Sequence, residues 1–204
     1  MSTPLQEAFG DIDIYLFDQL LKNRFQDCHR VLDVGCGSGR NLWYFLQQGF
    51  EVFAVDLSPE AVAQTKNLAS RLAPSLPEAN FQVALAEALP FANASFDLII
   101  SSAVLHFARN PAHFDLMLMG MWQKLKPGGF LFARLASSIG IESLVTDLGN
   151  GRYLLPDGSE RFLVDEKRLL EYTQNLRGRL VEPIKTTNVQ NLRCMTTWVL
   201  QKSA

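Results

Sequence analysis

The stretch Val31–Phe45, VLDVGCGSGRNLWYF, runs from an apolar strand-like segment through three glycines into a helix-like pattern. A glycine-rich turn between a strand and a helix suits a nucleotide-like ligand, because bare backbone N–H groups can approach it closely. Gly35, Gly37 and Gly39 are spaced G-x-G-x-G. The dinucleotide fingerprint G-x-G-x-x-G needs a glycine where Arg40 stands. The phosphate-cradling G-x-x-x-x-G-K-[ST] loop is missing as well, since no lysine follows in register. Asp33, just upstream, would repel a pyrophosphate and attract an ammonium or a sulfonium. Asp56 closes the next strand-like run, EVFAVD, at a place where a carboxylate can accept both hydroxyls of a ribose.

The surrounding sequence alternates strand-like and helix-like segments. HRVLDVG, EVFAVD, NFQVALA, FDLIISSAV and GFLFARLAS read as strands. RNLWYFLQQG reads as a short helix stopped at Gly49, and SPEAVAQTKNLASRLAP as a helix capped by Ser58 with Pro59 and Glu60 in its first turn. NPAHFDLMLMGMWQKL is a further helix, followed by the turn KPGG. This order implies an α/β fold with a mainly parallel sheet and helices on both faces. In the last third, GRYLLPDGSERFLV reads as two extended runs around Pro156-Asp157-Gly158, and DEKRLLEYTQNL as a helix. RLVEPIKTTNV and LRCMTTWVLQK then pair as an antiparallel hairpin, which most dinucleotide-binding domains lack. The 204 residues, 48% hydrophobic and 20% charged with no repeat or linker, suit a single domain over 1–204. A formal net charge of −2 gives no general pull toward nucleic acid or an anionic membrane. The opening MSTPLQEAFGDIDIY has no signal-peptide pattern, no run is long enough to span a bilayer, and three scattered cysteines form neither a disulfide framework nor a zinc site. These features predict a cytoplasmic protein that takes no metal, no nucleic acid and no membrane as partner.

A cationic amino-acid end beside Asp33 and a ribose at Asp56 together describe S-adenosylmethionine. VLDVGCGSGR, VFAVDLSPEAV, AEALPFANASFDLII and LKPGGFLFARL, covering about Arg30 to Leu135, resemble the four successive motifs of the class I S-adenosylmethionine-dependent methyltransferases of the type 11/25 kind. The resemblance implies a Rossmann-like three-layer sandwich whose seven-stranded sheet is closed by the carboxy-terminal hairpin. It implies that the loop from Asp33 through Gly35, Cys36 and Gly37 to Gly39 wraps the methionine end, and that Asp56 takes the ribose. Leu57 would lie on the adenine face, Ala86 and Glu87 at the adenine edge, and Ser101 near the methionine amino group. Residues 1–29 would form a helical lid, with Tyr15 either closing over the cofactor or packing in the lid's own core, and 139–164 a variable insertion on the substrate side. Many relatives carry an aspartate where this chain has Leu85, so Ala86 backbone groups or the Glu87 side chain must meet the adenine amino group instead. GSGRN resembles the tellurite-resistance and thiol methyltransferase branch, in which Arg40 would reach the cofactor carboxylate; the alternative is a solvated residue of the first helical turn.

His106 is the candidate catalytic residue: it follows the fourth strand, either to position or deprotonate an acceptor or to pack the pocket wall. Cys36 reads as a small residue filling a tight turn, His113 as a helix-surface residue, and Met117, Met119 and Met121 as core. Arg134 and Ser138 fall at the end of the fifth strand, facing the acceptor side, while Arg161 and Arg193 fall in the variable part. The sequence SSAVLHF after the fourth strand lacks the [N/D/S]-P-P-[Y/F] motif of amino-group methylation of bases or glutamine. No carboxylate set suits metal-assisted catechol methylation, and no Pro-Cys suits cytosine-ring methylation. A small-molecule methyl acceptor remains, with a non-catalytic cofactor-binding protein or an NAD-dependent oxidoreductase as alternatives.

Overall fold

The computed structural model describes residues 4–203; Met1–Thr3 of the expected lid and Ala204 lie outside the described residues. The chain opens with two short helices, α1 (Pro4–Phe9) and α2 (Ile14–Leu21). Then follow β1 (Arg30–Val34), α3 (Trp43–Gln47), β2 (Glu51–Asp56), α4 (Pro59–Leu72), β3 (Phe81–Val83), β4 (Phe96–Ser102), α5 (Pro111–Lys124) and β5 (Leu125–Ser137). An insertion of three strands, β6 (Thr146–Gly149), β7 (Arg152–Leu154) and β8 (Glu160–Phe162), precedes α6 (Glu166–Asn175). The chain closes with β9 (Gly178–Leu180), β10 (Lys185–Val189) and β11 (Arg193–Lys202).

The main sheet runs β10-β11-β5-β4-β1-β2-β3, with β1 to β5 parallel and β11 antiparallel to β5. The expected seven positions hold eight strands, because the edge position beside β11 is split. β9 pairs with Leu200–Lys202, β10 with Arg193–Thr197, and Pro183 lies in the break between them, where it has no N–H to give the ladder. The turn KPGG lies inside β5 as an irregularity: Phe96 pairs with Leu125 and Leu98 with Phe130, and Gly128 takes φ +78°. The insertion forms its own antiparallel sheet in the order β6-β7-β8, one strand more than the two expected runs.

Local chemistry explains the elements. Ser58 accepts the Ala61 N–H ahead of α4, Asn110 the His113 N–H ahead of α5, and Asp165 the Arg168 N–H ahead of α6. Each satisfies one of the donors a helix start leaves unpaired. Alternate strand residues feed two apolar layers. Leu32, Val34, Ile99, Leu131 and Leu135 pack with Phe114, Met121 and Leu169 on the α5–α6 face, whereas Val31, Leu98, Ile100 and Phe132 pack with Leu16, Phe45 and Leu68 on the α2–α4 face. Strand order reverses about β1, between β4 and β2, and in open α/β sheets the crevice at the carboxyl ends of such strands holds the ligand. Among the described residues, no helix is long and apolar enough to cross a membrane.

Candidate cofactor site

At that reversal lies a cavity of about 470 Å³, bounded by Gly35, Asp56, Leu57, Ala86 and Glu87 on one side and by Val104, Phe107, Arg109, His113 and Met117 on the other. Five of the candidate cofactor-binding residues, Gly35, Asp56, Leu57, Ala86 and Glu87, therefore meet at one cavity. Of the glycine motif in the loop after β1, Gly35 lines the cavity. Gly35 has φ +75°, and a Cβ there would stand 2.3 Å from Val104 Cγ2, so loop and post-β4 turn touch through hydrogen alone. Gly37 also lies in the left-handed region, at φ +53°, but a Cβ there would meet nothing within 4 Å. Its N–H donates to Asp56 Oδ2 at 2.9 Å, and Ser58 N donates to Asp56 Oδ1 at 2.9 Å, so the Asp56 carboxylate fastens the loop to β2. Each carboxylate oxygen keeps a further lone pair for a ribose hydroxyl. Gly39 faces away, against Leu68 and Thr65 of α4.

Asp33 is the anomaly. It is 1% exposed, and neither carboxylate oxygen has a hydrogen-bond partner. Burial pushes its pKa up to about 7, against the pull of the nearby Arg40 guanidinium, and Asp56 adds a smaller upward push. A buried carboxylate without donors is costly and rare. It fits a cationic group, such as the ammonium of an amino acid. Cys36 is 5% exposed and accepts a hydrogen bond from Thr65 Oγ1 at 3.5 Å. Burial, with Asp33 close by, drives its pKa up to about 12, so it stays a thiol and packs the turn.

Other candidates lie apart from the cavity. Ser101 follows Ile99 on the α5–α6 face, opposite to Asp33, and its buried hydroxyl has no partner. Arg40 precedes α3, which starts only at Trp43, so it is not a first-turn residue. It is turned to the amino-terminal segment, with Nη1 donating to the Asp11 carbonyl at 3.4 Å and Nη2 3.6 Å from Asp13 Oδ2. Tyr15, on α2, has its ring 5.1 Å from the Arg134 guanidinium, and its hydroxyl hydrogen-bonds Thr187. His106 is 5% exposed, and its Nδ1 accepts the Ala136 N–H at 3.1 Å. Burial, with Arg161 and Arg134 nearby, depresses its pKa to about 4. It is therefore neutral near pH 7, with the proton on Nε2.

Two sequence readings need correction. His113 is no surface residue: its Nδ1 accepts the Arg109 N–H at 3.1 Å, which leaves Nε2–H to donate to Glu87 Oε1 at 3.0 Å on the cavity wall. The first turn of α5 brings His113 to the cavity, a placement that helix periodicity alone does not reveal. Met119 is 43% exposed, whereas Met117 and Met121 are buried. Phe107 was also missed. The tight turn at Leu105–Phe107 buries His106 and leaves Phe107 56% exposed at the cavity mouth. Among the described residues, no cluster of three or more histidine, cysteine or carboxylate side chains is arranged to hold a metal ion.

Comparison with known proteins agrees with this geometry. Residues 31–129 match the family described as "Methyltransferase domain". An uncharacterized methyltransferase, sll0829, of Synechocystis is 37% identical over 100 residues, covering 49% of this chain and 43% of that protein. A tRNA U34 carboxymethyltransferase of Hydrogenovibrio crunogenus is 36% identical over 131 residues, covering 62% of this chain and 36% of that protein. The chain thus spans less than half the length of these curated relatives. The crystal structure of a SAM-dependent methyltransferase from Methanosarcina mazei superposes with a TM-score of 0.69 at 23% identity, covering 90% of this chain and 97% of that one. Motif and cavity coincide over the matched region, and residues 31–129 are a methyltransferase domain of the class I S-adenosylmethionine-dependent kind.

Proposed function

We propose that this chain transfers a methyl group from S-adenosylmethionine to a small-molecule acceptor. The observation that carries the reading is Asp33, a buried carboxylate without a donor, two residues before Gly35, which lines the cavity together with Asp56. Asp33 would bind the cofactor's ammonium, Asp56 its ribose hydroxyls, Leu57 and Ala86 its adenine, and Glu87, steadied by His113, the adenine amino group. Bound there, the cofactor supplies a sulfonium-activated methyl group for in-line displacement. The protein's task is then alignment and exclusion of water, which supply most of the acceleration.

The acceptor we favour is one that reacts without a strong base, such as a thiolate or a similarly soft anion. His106 supports this choice. Its free lone pair, on Nδ1, is engaged by Ala136 N–H, and Nε2 carries the proton, so it positions the wall rather than takes a proton. The test is release of S-adenosylhomocysteine across a panel of thiols, selenite, tellurite, small carboxylates, amines and unmodified tRNA. Turnover with a small acceptor supports the proposal. Turnover confined to tRNA overturns the acceptor class, and binding of NAD without S-adenosylhomocysteine overturns the cofactor.

A further inference from the structure

Asp33 of β1, Ser102 of β4, Arg134 of β5 and Thr197 of β11 form a polar row across the α2–α4 face of the sheet. Asp33 pairs with Ile100 two residues before Ser102, Ser102 with Arg134, and Arg134 with Thr197. Asp13, 4% exposed, lies over this row. Its Oδ1 accepts the Tyr15 N–H at 2.9 Å and so caps α2. Its Oδ2 accepts the Ser102 hydroxyl at 3.4 Å and stands 3.3 Å from Arg134 Nη1 and 3.6 Å from Arg40 Nη2. Both ion-pair distances exceed the 2.7–2.9 Å or so of a good guanidinium–carboxylate contact. Arg134 Nε is buried without a partner, and so are both oxygens of Asp33.

The charges are balanced in number and unbalanced in place. Two guanidinium groups attend Asp13, whereas no donor attends Asp33. An amino-acid zwitterion carries the complementary pair: an ammonium for Asp33 and a carboxylate for the arginines. We propose that Arg134, Arg40 and Ser102 form a carboxylate subsite that Asp13 fills as an internal stand-in, and that the α-carboxylate of the cofactor's amino-acid end displaces it. The proposal rests on the S-adenosylmethionine reading above. Because Asp13 heads α2, displacing it removes the contact of the α2 cap with β4 and β5, while Leu16 keeps the helix in the core.

The test compares S-adenosylhomocysteine with 5′-methylthioadenosine, which has the same nucleoside and thioether but no amino-acid end. Both are titrated calorimetrically into the full chain, Asp13→Asn and Arg134→Gln, with thermal melts to confirm folding. Asparagine caps helices as well as aspartate does, so α2 is retained. In Asp13→Asn, affinity for S-adenosylhomocysteine rises about three- to tenfold, and that for 5′-methylthioadenosine stays within about twofold. Arg134→Gln weakens S-adenosylhomocysteine about tenfold and spares 5′-methylthioadenosine. If either variant weakens both ligands equally, Asp13 is only a helix cap and the subsite is refuted. If neither ligand binds the unaltered chain, the S-adenosylmethionine reading fails first.

Discussion

Asp33→Asn separates stability from ligand binding in a single residue. The carboxyl titrates at about 7 in the folded chain, against an ordinary 3.8, chiefly because burial penalises its ionised form. Between those values the folded state holds more protons than the unfolded state, so Asp33 costs nothing below the ordinary value and destabilises progressively as pH rises through 7. Fully ionised, the cost is at most about 4 kcal/mol. Asparagine removes that cost and leaves an unpaired amide worth about 1–3 kcal/mol at every pH. The stability difference between variant and parent, from urea unfolding, should therefore shift in the variant's favour by about 2–3 kcal/mol between pH 5 and pH 8. Over the same range the variant should lose S-adenosylhomocysteine affinity by at least about tenfold, as the ammonium's charged partner is gone. Binding to the parent near pH 6.5 should release a proton, visible in calorimetry as a dependence of heat on buffer ionisation enthalpy. A pH-independent stability difference, or a variant that keeps its ligand affinity, refutes the assignment of Asp33 as an uncompensated charge awaiting a cation.

Asp56→Ala should weaken cofactor binding by roughly 1.5–3 kcal/mol, through lost ribose bonds and a loosened Gly37 loop; unchanged affinity in a folded variant removes Asp56 from the site. His106 should show no ring-proton titration by NMR from pH 8 down to pH 5. Its folded value of about 4, below the ordinary 6.5, means its stabilising share is present above 6.5 and is lost as pH falls toward 4. His106→Gln should flatten that acid limb by up to about 3 kcal/mol; a His106 resonance titrating near 6.5 contradicts the buried, neutral ring. Gly35→Ala should destabilise the fold by about 2–3 kcal/mol, because the methyl needs positive φ and collides with Val104. Adding Val104→Ala should recover only the steric part, measured by melting temperature.

The places of the candidate cofactor residues in the fold were legible because they lie in contiguous sequence. Asp33, the glycines and Asp56 sit at strand ends, where period-two hydrophobicity and turn chemistry fix both place and direction. Gly49, at φ +78°, and the Ser58 cap were readable for the same local reason. What was not legible depends on how elements approach one another. His113 and Phe107 reach the cavity because a tight turn and the start of α5 bring them to its wall, and neither direction has a signature in spacing. Arg40 was weighed between cofactor and water, yet its closest charge is Asp13, brought near by a segment nearly thirty residues upstream. Arg134, placed on the acceptor side from sequence, shares that carboxylate. The two open questions of the sequence thus merge into one group of charges. That group is where amino-terminal helices, glycine loop and fifth strand meet. If the lid and the cofactor's amino-acid end compete for the same two arginines, the acceptor side opens only as the cofactor seats. The order of binding then follows from electrostatics at Asp13 and Asp33 rather than from the shape of the acceptor.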